Sequence, residues 1–344
     1  MAGAFLASCS NDDDTITVPL GDYENGMFIL NEGGFNVGNA SVSFLTNDFV
    51  LENNVFNIVN GLDLGDVAQS MAFNGDRAYI VINNSHKIEV VNRYTFEHVA
   101  TISVGLDNPR YIAVVDNKAY VTNWGDGMSA DDDFVAVIDL SSNTVVEEIV
   151  VTEGPETIIE EGGKIYVAHE GGFNFGNAVS VIDPATNAIT ATVAVGDTPN
   201  SMEAENGRLY VMAGGKPSWA GTETSGSLTI INLANNAVED VVEFGSVMHP
   251  SNLKIEDNTI YFTIDAGIYN MSTTASSFPD APLFETTDQG VYGVYSFEVE
   301  NGNIYVGDAV DYSANGKVYI YSLSGNLQHS FTVGVIPTGF YFND

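Results

Sequence analysis

The sequence contains little cysteine and little positive charge. Cys9 is the only cysteine among the 344 residues, so no disulfide can form within the chain. Ten basic residues stand against 46 acidic ones, which gives a formal net charge of −36. We exclude nucleic acid as a partner, because Lys and Arg side chains that neutralise phosphates supply much of that affinity. The acidity favours solubility, with a surface for cations or a cationic ligand as the alternative.

Long apolar runs and long helical patterns are also missing. After the N-terminus no segment reaches the roughly 18 apolar residues that a membrane-spanning helix needs. No long segment shows the apolar period of an amphipathic helix. Hydrophobic residues, by contrast, make up 44% of the chain, with 34 Gly, 16 Tyr and 19 Phe. Many short strands joined by tight turns require such a composition, which predicts an all-β protein.

The first residues are similar to the end of a bacterial lipoprotein signal. Leu6-Ala7-Ser8-Cys9 has the small residues before a cysteine that are typical of a lipobox, and a polar, acidic run follows at once. We expect residues 1–8 to be a residual signal peptide, and residues 9–25 to be a lipidated Cys9 with an acidic tether. The protein would then be anchored in the outer membrane through its lipid alone, facing the cell exterior. The alternative is an ordinary apolar N-terminus with a chance cysteine.

From residue 26 onward a single unit recurs. Its clearest marker is a strand with an aromatic residue between two apolar ones, and the aromatic positions lie 41 to 51 residues apart. The seven aromatic residues are Phe28, Tyr79, Tyr120, Tyr166, Tyr210, Tyr261 and Tyr305. Turn sequences such as Asn74-Gly75 and Asn301-Gly302 precede six of them and are typical of β-hairpins. Further strands on either side complete a unit of four.

Seven four-stranded units predict a seven-bladed β-propeller over residues 26–344, with one blade per unit. Blade 1 begins at Gly26 with the second strand of the unit, so its innermost strand is missing. The C-terminal segment supplies it, because Pro337-Thr338 matches the opening Pro199-Asn200 of another innermost strand. We expect the last strand to complete blade 1 and to close the ring, which removes free sheet edges.

The unit resembles the YVTN type of propeller repeat. Residues 120–123 read Tyr-Val-Thr-Asn, and residues 179–199 follow that repeat's third strand, turn and exit. An acidic chain with a lipobox and Glu-Gly-Gly-Phe-Asn loops also resembles the surface propellers of gut outer-membrane systems. One branch of these is the corrinoid-capturing lipoprotein that is partnered with a TonB-dependent vitamin B12 transporter. The resemblance implies that a corrinoid is the ligand and an outer-membrane transporter the partner; we expect a monomer.

One face of the predicted propeller carries long and varied loops between the second and third strands, whereas the turns of the opposite face are short. Variable loops on a rigid scaffold are the usual location of binding. The loops supply aromatic residues among Gly, Ser and Asn, which is the composition of a recognition surface. The candidate ligand contacts are Phe35, Trp124, Phe173, Phe175, Trp219 and Tyr312. Alternatively, each aromatic side chain folds down to fill its own loop.

Two of these loops are near-copies of each other. Residues 31–43 and 169–181 share Glu-Gly-Gly-Phe-Asn followed by Gly-Asn-Ala, and they lie three blades apart. Their phenylalanines would then flank one ligand from two sides of the mouth. Glu32 and Glu170 occupy matching places. We expect the two loops to share one conformation, with ligand contact as the alternative role of the two glutamates.

The openings of the innermost strands supply a second ring of candidates around the channel mouth. The expected members are Gln69, Arg110, Glu156, Asn200, Ser251, Tyr292 and Thr338. Arg110 would bind an anionic group of the ligand or form a salt bridge to a nearby carboxylate. His169, in the loop of blade 4, is the last candidate ligand contact.

Metal and catalytic chemistry have few signals in the sequence. The histidines lack the short spacing of metal ligands, and the aspartate-rich segment 126–133 could hold calcium but lacks the spacing of an EF-hand. No P-loop, dinucleotide or nucleophile-elbow motif occurs. A lactonase- or lyase-like enzyme would need a histidine base, His169 or His249, at the mouth. Its partner would be Glu156 or Glu170.

The expected function is therefore non-covalent binding of a ligand on the loop face, without catalysis, a metal or a cofactor. A corrinoid that passes to a TonB-dependent transporter is the ligand favoured by the resemblance. The alternatives are a protein- or glycan-binding surface module and a lactonase- or lyase-like enzyme.

Overall fold

The computed structural model describes residues 19–343, which form seven four-stranded antiparallel sheets arranged in a ring. The predicted seven-bladed β-propeller is confirmed. In blades 2 to 7 the chain runs from the innermost strand, beside the central axis, to the outermost strand at the rim. Blade 1 differs because its innermost strand comes from the C-terminus. The expected signal peptide and Cys9 lie outside the described residues.

The strands are numbered β1 to β28 in chain order. The innermost strands of blades 1 to 7 are β28 (Pro337–Phe342), β4 (Ala68–Asn74), β8 (Pro109–Val115), β12 (Pro155–Glu161), β16 (Pro199–Glu205), β20 (Ser251–Glu256) and β24 (Ser296–Glu300). The second strands are β1 (Gly26–Asn31), β5 (Arg77–Ile82), β9 (Lys118–Asn123), β13 (Lys164–His169), β17 (Arg208–Ala213), β21 (Thr259–Ile264) and β25 (Asn303–Asp308).

The two outer positions of each blade follow the same order. The third strands are β2 (Ser41–Thr46), β6 (Lys87–Asn92), β10 (Phe134–Asp139), β14 (Ala178–Asp183), β18 (Ser227–Asn232), β22 (Gly267–Ser272) and β26 (Asn315–Ser322). The outermost strands are β3 (Leu51–Glu52), β7 (His98–Ile102), β11 (Thr144–Val150), β15 (Ala188–Ala194), β19 (Ala237–Glu243), β23 (Phe284–Glu285) and β27 (Leu327–Val335).

The core lies between neighbouring blades. Tyr120, from the second strand of blade 3, is fully buried in one apolar cluster with Ile158 and Ile165 of blade 4. Tyr166 of blade 4 and Tyr210 of blade 5 pack in the same way against the next blade. Burying such a side chain stabilises the folded state by about 2–3 kcal/mol. Because one sheet cannot bury both of its faces alone, this contact between blades requires the ring.

The ring is closed by β28, as predicted. It pairs with β1 in antiparallel register, with Ile29 opposite Phe340 and Met27 opposite Phe342. The backbone then continues the ladder, because Asn25 N–H donates to the carbonyl oxygen of Asn343 at 2.9 Å. The described ends of the chain therefore lie side by side.

Packing of the propeller begins before residue 26. Tyr23 is buried, and its ring lies 5.2 Å from that of Phe44, 5.9 Å from that of Phe96 and 6.2 Å from that of Phe28. The last residues of the expected tether thus belong to the packed structure of blade 1.

One short α-helix was not predicted. The helix α1 (Val55–Asn60) follows the two-residue strand β3, and its Phe56 packs edge-on against Phe96 of blade 2 at 6.5 Å. Six residues are too few to show a helical period in the sequence. Within residues 19–343, no helix has the length and apolar character that crossing a bilayer demands.

Candidate functional site

The loops between second and third strands surround the mouth of a central cavity of about 610 Å³. Antiparallel order brings these loops to the same side as the start of each innermost strand, and we call this side the loop face. All seven innermost strands or their openings line the central cavity. The predicted ring residues among its lining are Gln69, Arg110, Glu156, Asn200 and Thr338.

Four aromatic side chains from blades 3 to 5 form an aromatic arc, which consists of Trp124, Phe173, Phe175 and Trp219. The rings of Trp124 and Phe173 meet edge to face at 5.9 Å, and those of Phe175 and Trp219 lie 5.5 Å apart. Phe173 and Phe175 belong to one loop and so join the two pairs. Phe173 is 67% exposed and Trp219 75% exposed. Such exposed apolar surface on a folded protein is typical of a binding site.

A second cavity, the side cavity, lies along the blade 4 and blade 5 part of the arc. It has a volume of about 460 Å³ and is lined by Phe173, Phe175 and Trp219 together with small and polar residues of the neighbouring loops. Glu170 and Asn200 line both this cavity and the central one. The two cavities therefore adjoin at these residues, and one ligand could occupy both.

A glycine shapes the loop that carries the two phenylalanines. Gly171 has a φ of +102°, and a Cβ atom at this position would collide with the backbone nitrogen of Gly176. Only glycine permits this close approach. The loop curls tightly there, and Phe173 and Phe175 lie on the part of the loop between the two glycines.

The two near-copied loops do not share one conformation, so that expectation is wrong. The return strand pairs Ala178 with His169 in blade 4 but Ser41 with Asn31 in blade 1, which makes the blade 1 loop one residue longer. The sequence differs at Phe175, where blade 1 has Val37. Phe175 packs on Trp219 of blade 5, whereas Val37 is 65% exposed.

Arg110 connects the ring of the central cavity to the aromatic arc. Its guanidinium donates three hydrogen bonds to the carboxylate of Glu156, at 2.6, 2.9 and 3.2 Å, and lies 4.2 Å from the ring centre of Trp124. The indole N–H of Trp124 donates to the carbonyl oxygen of Pro155 at 3.1 Å. Although burial opposes the charge, Glu156 raises the pKa of Arg110. Of the two roles predicted for Arg110, the structure has the salt bridge.

The matching glutamates of the two loops both have a raised pKa, for partly different reasons. Burial raises the pKa of Glu32, and the hydroxyl of Tyr295, which donates to its carboxylate at 2.5 Å, acts in the opposite direction. Burial, together with the nearby carboxylate of Glu156, raises the pKa of Glu170 to about 8. Glu170 is therefore mostly protonated at neutral pH.

His169 does not face the loop surface, contrary to expectation. It is 1% exposed, and its two ring nitrogens contact the carbonyl oxygen of Thr152 at 2.9 Å and the hydroxyl of Ser180 at 2.8 Å. Burial lowers its pKa to about 4. The position is the last of a second strand, where the neighbouring strands cover the side chain. His169 therefore holds the base of the loop rather than the ligand.

This burial predicts a pH-dependent loss of stability. The unfolded chain binds a proton at His169 near pH 6.5, and the folded protein does so only near pH 4, so its contribution is present above pH 6.5 and is lost as the pH falls towards 4. We expect His169→Asn, which copies Asn31 of blade 1, to remove about 2–3 kcal/mol of the acid-induced loss of unfolding free energy. Urea unfolding at pH 7, 5.5 and 4.5 measures this. Parallel losses in both proteins would contradict it.

Three other candidates lie away from the arc. Tyr292 is 95% exposed and does not line the central cavity; its expected place is taken by Tyr295. Phe35 is exposed and lines neither cavity, so it does not face Phe173 and Phe175 across a ligand in this structure. Tyr312 packs edge-on against Tyr295 at 5.8 Å, which places it beside the central cavity on the blade 7 side.

Sequence reasoning missed a charged layer deeper in the central cavity. Lys254 lies 2.8 Å from the carboxylate of Glu298 and 3.0 Å from that of Glu203. Burial opposes the ammonium charge, but both carboxylates raise the pKa of Lys254. Glu203, Lys254 and Glu298 each lie three positions after the residue that opens the same innermost strand. Those opening residues are Asn200, Ser251 and Tyr295. Alignment of the innermost strands beyond their openings would have found the three charged residues.

A lactonase- or lyase-like enzyme would need His169 or His249 to pair with Glu156 or Glu170. Neither histidine ring forms a hydrogen bond with either glutamate in the described residues. His249 lines the side cavity, but its ring contacts Glu223 at 3.3 Å and the carbonyl oxygen of Gly214 at 2.7 Å, not Glu156 or Glu170. In the described part of the chain, no three His, Cys, Asp or Glu side chains converge as a metal site requires. The aspartate-rich segment 126–133 lies in the long loop of blade 3.

Solved structures share this fold at low sequence identity. A quinonprotein alcohol dehydrogenase-like protein from Bacteroides thetaiotaomicron has a TM-score of 0.69 at 15% identity, over 94% of this chain and 79% of that chain. The hydrazine synthase of Kuenenia stuttgartiensis has a TM-score of 0.62 at 19% identity, over 77% and 85%. For the dihydro-heme d1 dehydrogenase NirN the values are 0.58 and 13%, over 95% and 77%. These likenesses show the propeller fold alone.

No curated protein matches the chain. The sequence model of one family, DUF5074, described as a domain of unknown function, matches residues 25–342. The match spans all seven blades.

Proposed function

The chain belongs to the DUF5074 family. We propose that it binds a small-molecule ligand non-covalently on the loop face, without catalysing a reaction. The observation that carries the proposal is the aromatic arc beside two adjoining cavities. Rigid aromatic side chains bind large apolar surfaces at a low cost in conformational entropy. Phe173 and Trp219 expose that surface to solvent, which is unfavourable unless a ligand covers it.

The shape of the site favours a large ligand that is apolar in its body and polar at its edges. The central and side cavities have volumes of about 610 and 460 Å³, in the range of small-molecule sites. Aromatic rings form one wall, and Asn200, Gln69 and Glu170 supply polar groups at the rim. A corrinoid has this combination of a broad ring and a fringe of amides, and it is the ligand that the sequence resemblance implies.

The proposal extends to location and partner. The lipobox-like sequence ending at Cys9 supports a lipid-anchored protein of the outer membrane, and the acidic composition of the chain disfavours any further contact with an anionic membrane surface. Such a protein would pass its ligand to a TonB-dependent transporter. Metabolic labelling with a fatty acid, compared between wild type and Cys9→Ser in full-length protein, tests the anchor. Equal labelling of the two proteins would contradict it.

Capture of cyanocobalamin tests the ligand. We expect the purified protein to carry the coloured corrinoid through a desalting column. We expect Trp219→Ala, which removes an exposed ring of the arc, to weaken binding at least about tenfold, because aromatic anchors contribute most to such interfaces. The affinity is measured by isothermal titration calorimetry.

The matched control is Phe49→Ala, which removes a partly exposed ring on the opposite face. It should bind cyanocobalamin like the wild type, and both variants should melt within a few degrees of it. Free elution of the corrinoid from wild-type protein would exclude this ligand. Binding that survives both Trp219→Ala and Phe173→Ala would show that the arc is not the site.

A glycan is the second candidate ligand, because exposed rings such as those of Trp219 and Phe173 also stack on sugars. Binding of an oligosaccharide panel with loss in Trp219→Ala, and no binding of cyanocobalamin, would favour it. Turnover of a lactone panel that is abolished by His249→Ala, the histidine that lines the side cavity, would instead support an enzyme.

A further inference from the structure

The two matching glutamates differ in their partners. Glu32 and Glu170 stand at the same place in near-identical loops. The carboxylate of Glu32 accepts a hydrogen bond from the Tyr295 hydroxyl. Among residues 19–343, no group donates a hydrogen bond to the carboxyl of Glu170. The same sequence element therefore carries one carboxyl with a partner and one without.

The difference arises in the preceding blade. Tyr295 and Arg110 are equivalent, since each lies two residues before the buried apolar residue of its innermost strand, Phe297 or Ile112. In blade 7 this position supplies the hydroxyl for Glu32. In blade 3 the Arg110 guanidinium is held by Glu156, in a bidentate pair that leaves Glu170 with only a longer-range attraction.

Glu170 also stands where the two cavities adjoin. Asn200 is the other residue that lines both, and its amide is held by protein partners: its nitrogen donates to the carbonyl oxygen of Pro250 at 2.9 Å and its oxygen accepts from the Ser201 hydroxyl at 2.9 Å. Glu170 is thus the shared lining residue whose side chain has no hydrogen-bond partner within residues 19–343. A half-buried carboxyl that lines a cavity and has no protein partner can give its hydrogen bonds to a ligand.

We propose that the carboxyl of Glu170 pairs with a primary carboxamide of the ligand, and so selects ligands that place this group between the side cavity and the central cavity. The inference rests on the proposed function for the position of the ligand. It goes further in naming the chemical group that is recognised and the residue that recognises it.

The chemistry of the carboxyl favours a carboxamide. A protonated carboxyl offers one O–H donor beside one carbonyl acceptor, and a primary carboxamide offers the complementary acceptor and donor. Burial and Glu156 hold the pKa of Glu170 at about 8, so this protonated form prevails at neutral pH. A ligand carboxylate could accept the Glu170 O–H but has no N–H to donate to its carbonyl oxygen, so it is disfavoured.

Other charged groups face this position from the surrounding strands. Those nearest are Arg110 of β8 and Glu156 of β12, which are paired with each other. The remaining titratable residues along the two cavities are Tyr111, Tyr295, Tyr341, His249, Lys254, Glu203 and Glu298. Lys254 is held by the last two glutamates. The Glu170→Gln variant keeps all of these groups, so comparison with it isolates the contribution of Glu170 to any change between pH 6.5 and 9.5.

Benzamide is a simple probe, because its ring fits the arc and its carboxamide can reach Glu170. In ¹⁵N-labelled protein the two tryptophans give two indole N–H signals, and Trp219→Phe assigns one of them. At pH 6.5 we expect benzamide to shift the Trp219 signal. N,N-dimethylbenzamide and benzoate should bind about tenfold more weakly, since they cannot form both hydrogen bonds.

Variants of the two glutamates decide the assignment. Glu170→Ala should reduce the preference for benzamide to below about twofold. Glu170→Gln should keep it, because its amide also offers a donor and an acceptor. Raising the pH from 6.5 to 9.5 should weaken benzamide binding several-fold in wild type but not in Glu170→Gln. The matched control, Glu32→Gln, should retain both the preference and the pH dependence.

Equal binding of the three probes to wild type, no binding of any probe, or an unchanged preference in Glu170→Ala would each overturn the inference. These outcomes are separate from the corrinoid test. A protein that captures cyanocobalamin but shows no role for Glu170 would keep the proposed function and lose this inference. A protein that selects benzamide through Glu170 but releases cyanocobalamin would keep the carboxamide site and lose the corrinoid.

Discussion

Replacing Arg110 by methionine is expected to lower the free energy of unfolding by about 3–5 kcal/mol, because it leaves the carboxylate of Glu156 buried and unpaired. The Glu156 side chain is 7% exposed and that of Arg110 is 17% exposed. The loss also removes the cation from the face of Trp124, 4.2 Å away, which is a further, smaller contribution.

The double variant Arg110→Met with Glu156→Leu separates the pair from the burial of its charges. An apolar pair of similar volume avoids the desolvation of both ions, so most of the lost stability should return. Guanidinium chloride unfolding of wild type, both single variants and the double variant measures the coupling. If the double variant is as unstable as Arg110→Met, the loss has another cause, such as the contact with Trp124.

The propeller could be predicted because its signals are local and repeated. Each turn such as Asn301-Gly302 fixes a hairpin through backbone conformation alone, and each marker such as Tyr120 fixes a buried central strand. The ring closure followed from one more local match, between Pro337-Thr338 and Pro199-Asn200. Because the unit repeats, a strand with a weak signal in one blade can be assigned from the same strand in the other blades. The helix α1 occurs once, and nothing in the repeat predicts it.

The residues around the central cavity could be predicted where a proline marks the start of the innermost strand. A proline precedes Arg110, Glu156 and Asn200, and these residues line the cavity as expected. In blade 7 a valine stands at that place, after a loop that contains the 3₁₀ turn Thr287–Gln289. The prediction therefore fell on Tyr292, three residues too early.

Partners across blades could not be predicted from the sequence. Which carboxylate Arg110 binds depends on the distance between two blades, and that distance is set by packing far from either residue. The two near-copied loops show the same limit. Their sequences agree almost throughout. The surroundings nevertheless supply a hydrogen-bond donor, the Tyr295 hydroxyl, to Glu32 and none to Glu170 within the described chain. Those surroundings, more than the motif itself, give Glu170 its chemistry.

Removing the last strand is expected to abolish the folded monomer. A chain that ends at Val335 lacks β28 and therefore the whole innermost strand of blade 1. Phe340 alone is 6% exposed in the cluster between blades 7 and 1, and deleting one such side chain costs about 3–5 kcal/mol. The strand also carries the ladder to β1. Its loss exceeds what a marginally stable fold of about 5–15 kcal/mol tolerates.

The exposed edge of β1 should then pair with other chains. We expect the shortened protein to elute as aggregates in size-exclusion chromatography and to be cut rapidly by protease. A circular permutant is the matched control. It joins residues 343 and 19 through a short linker, since the described ends lie side by side, and opens the chain between Ala234 and Asn235 in an exposed turn.

The permutant keeps every strand and changes only the connectivity, so it should remain a monomer and melt within about 10 °C of wild type. A shortened chain that stays monomeric, with the circular dichroism of the wild type and a similar melting temperature, would show that the other six blades hold the ring without β28. Pairing of β28 with β1 would then not be required for folding. Because β28 covers the inner edge of β1 and adds Phe340 to the cluster between blades 7 and 1, we expect the opposite.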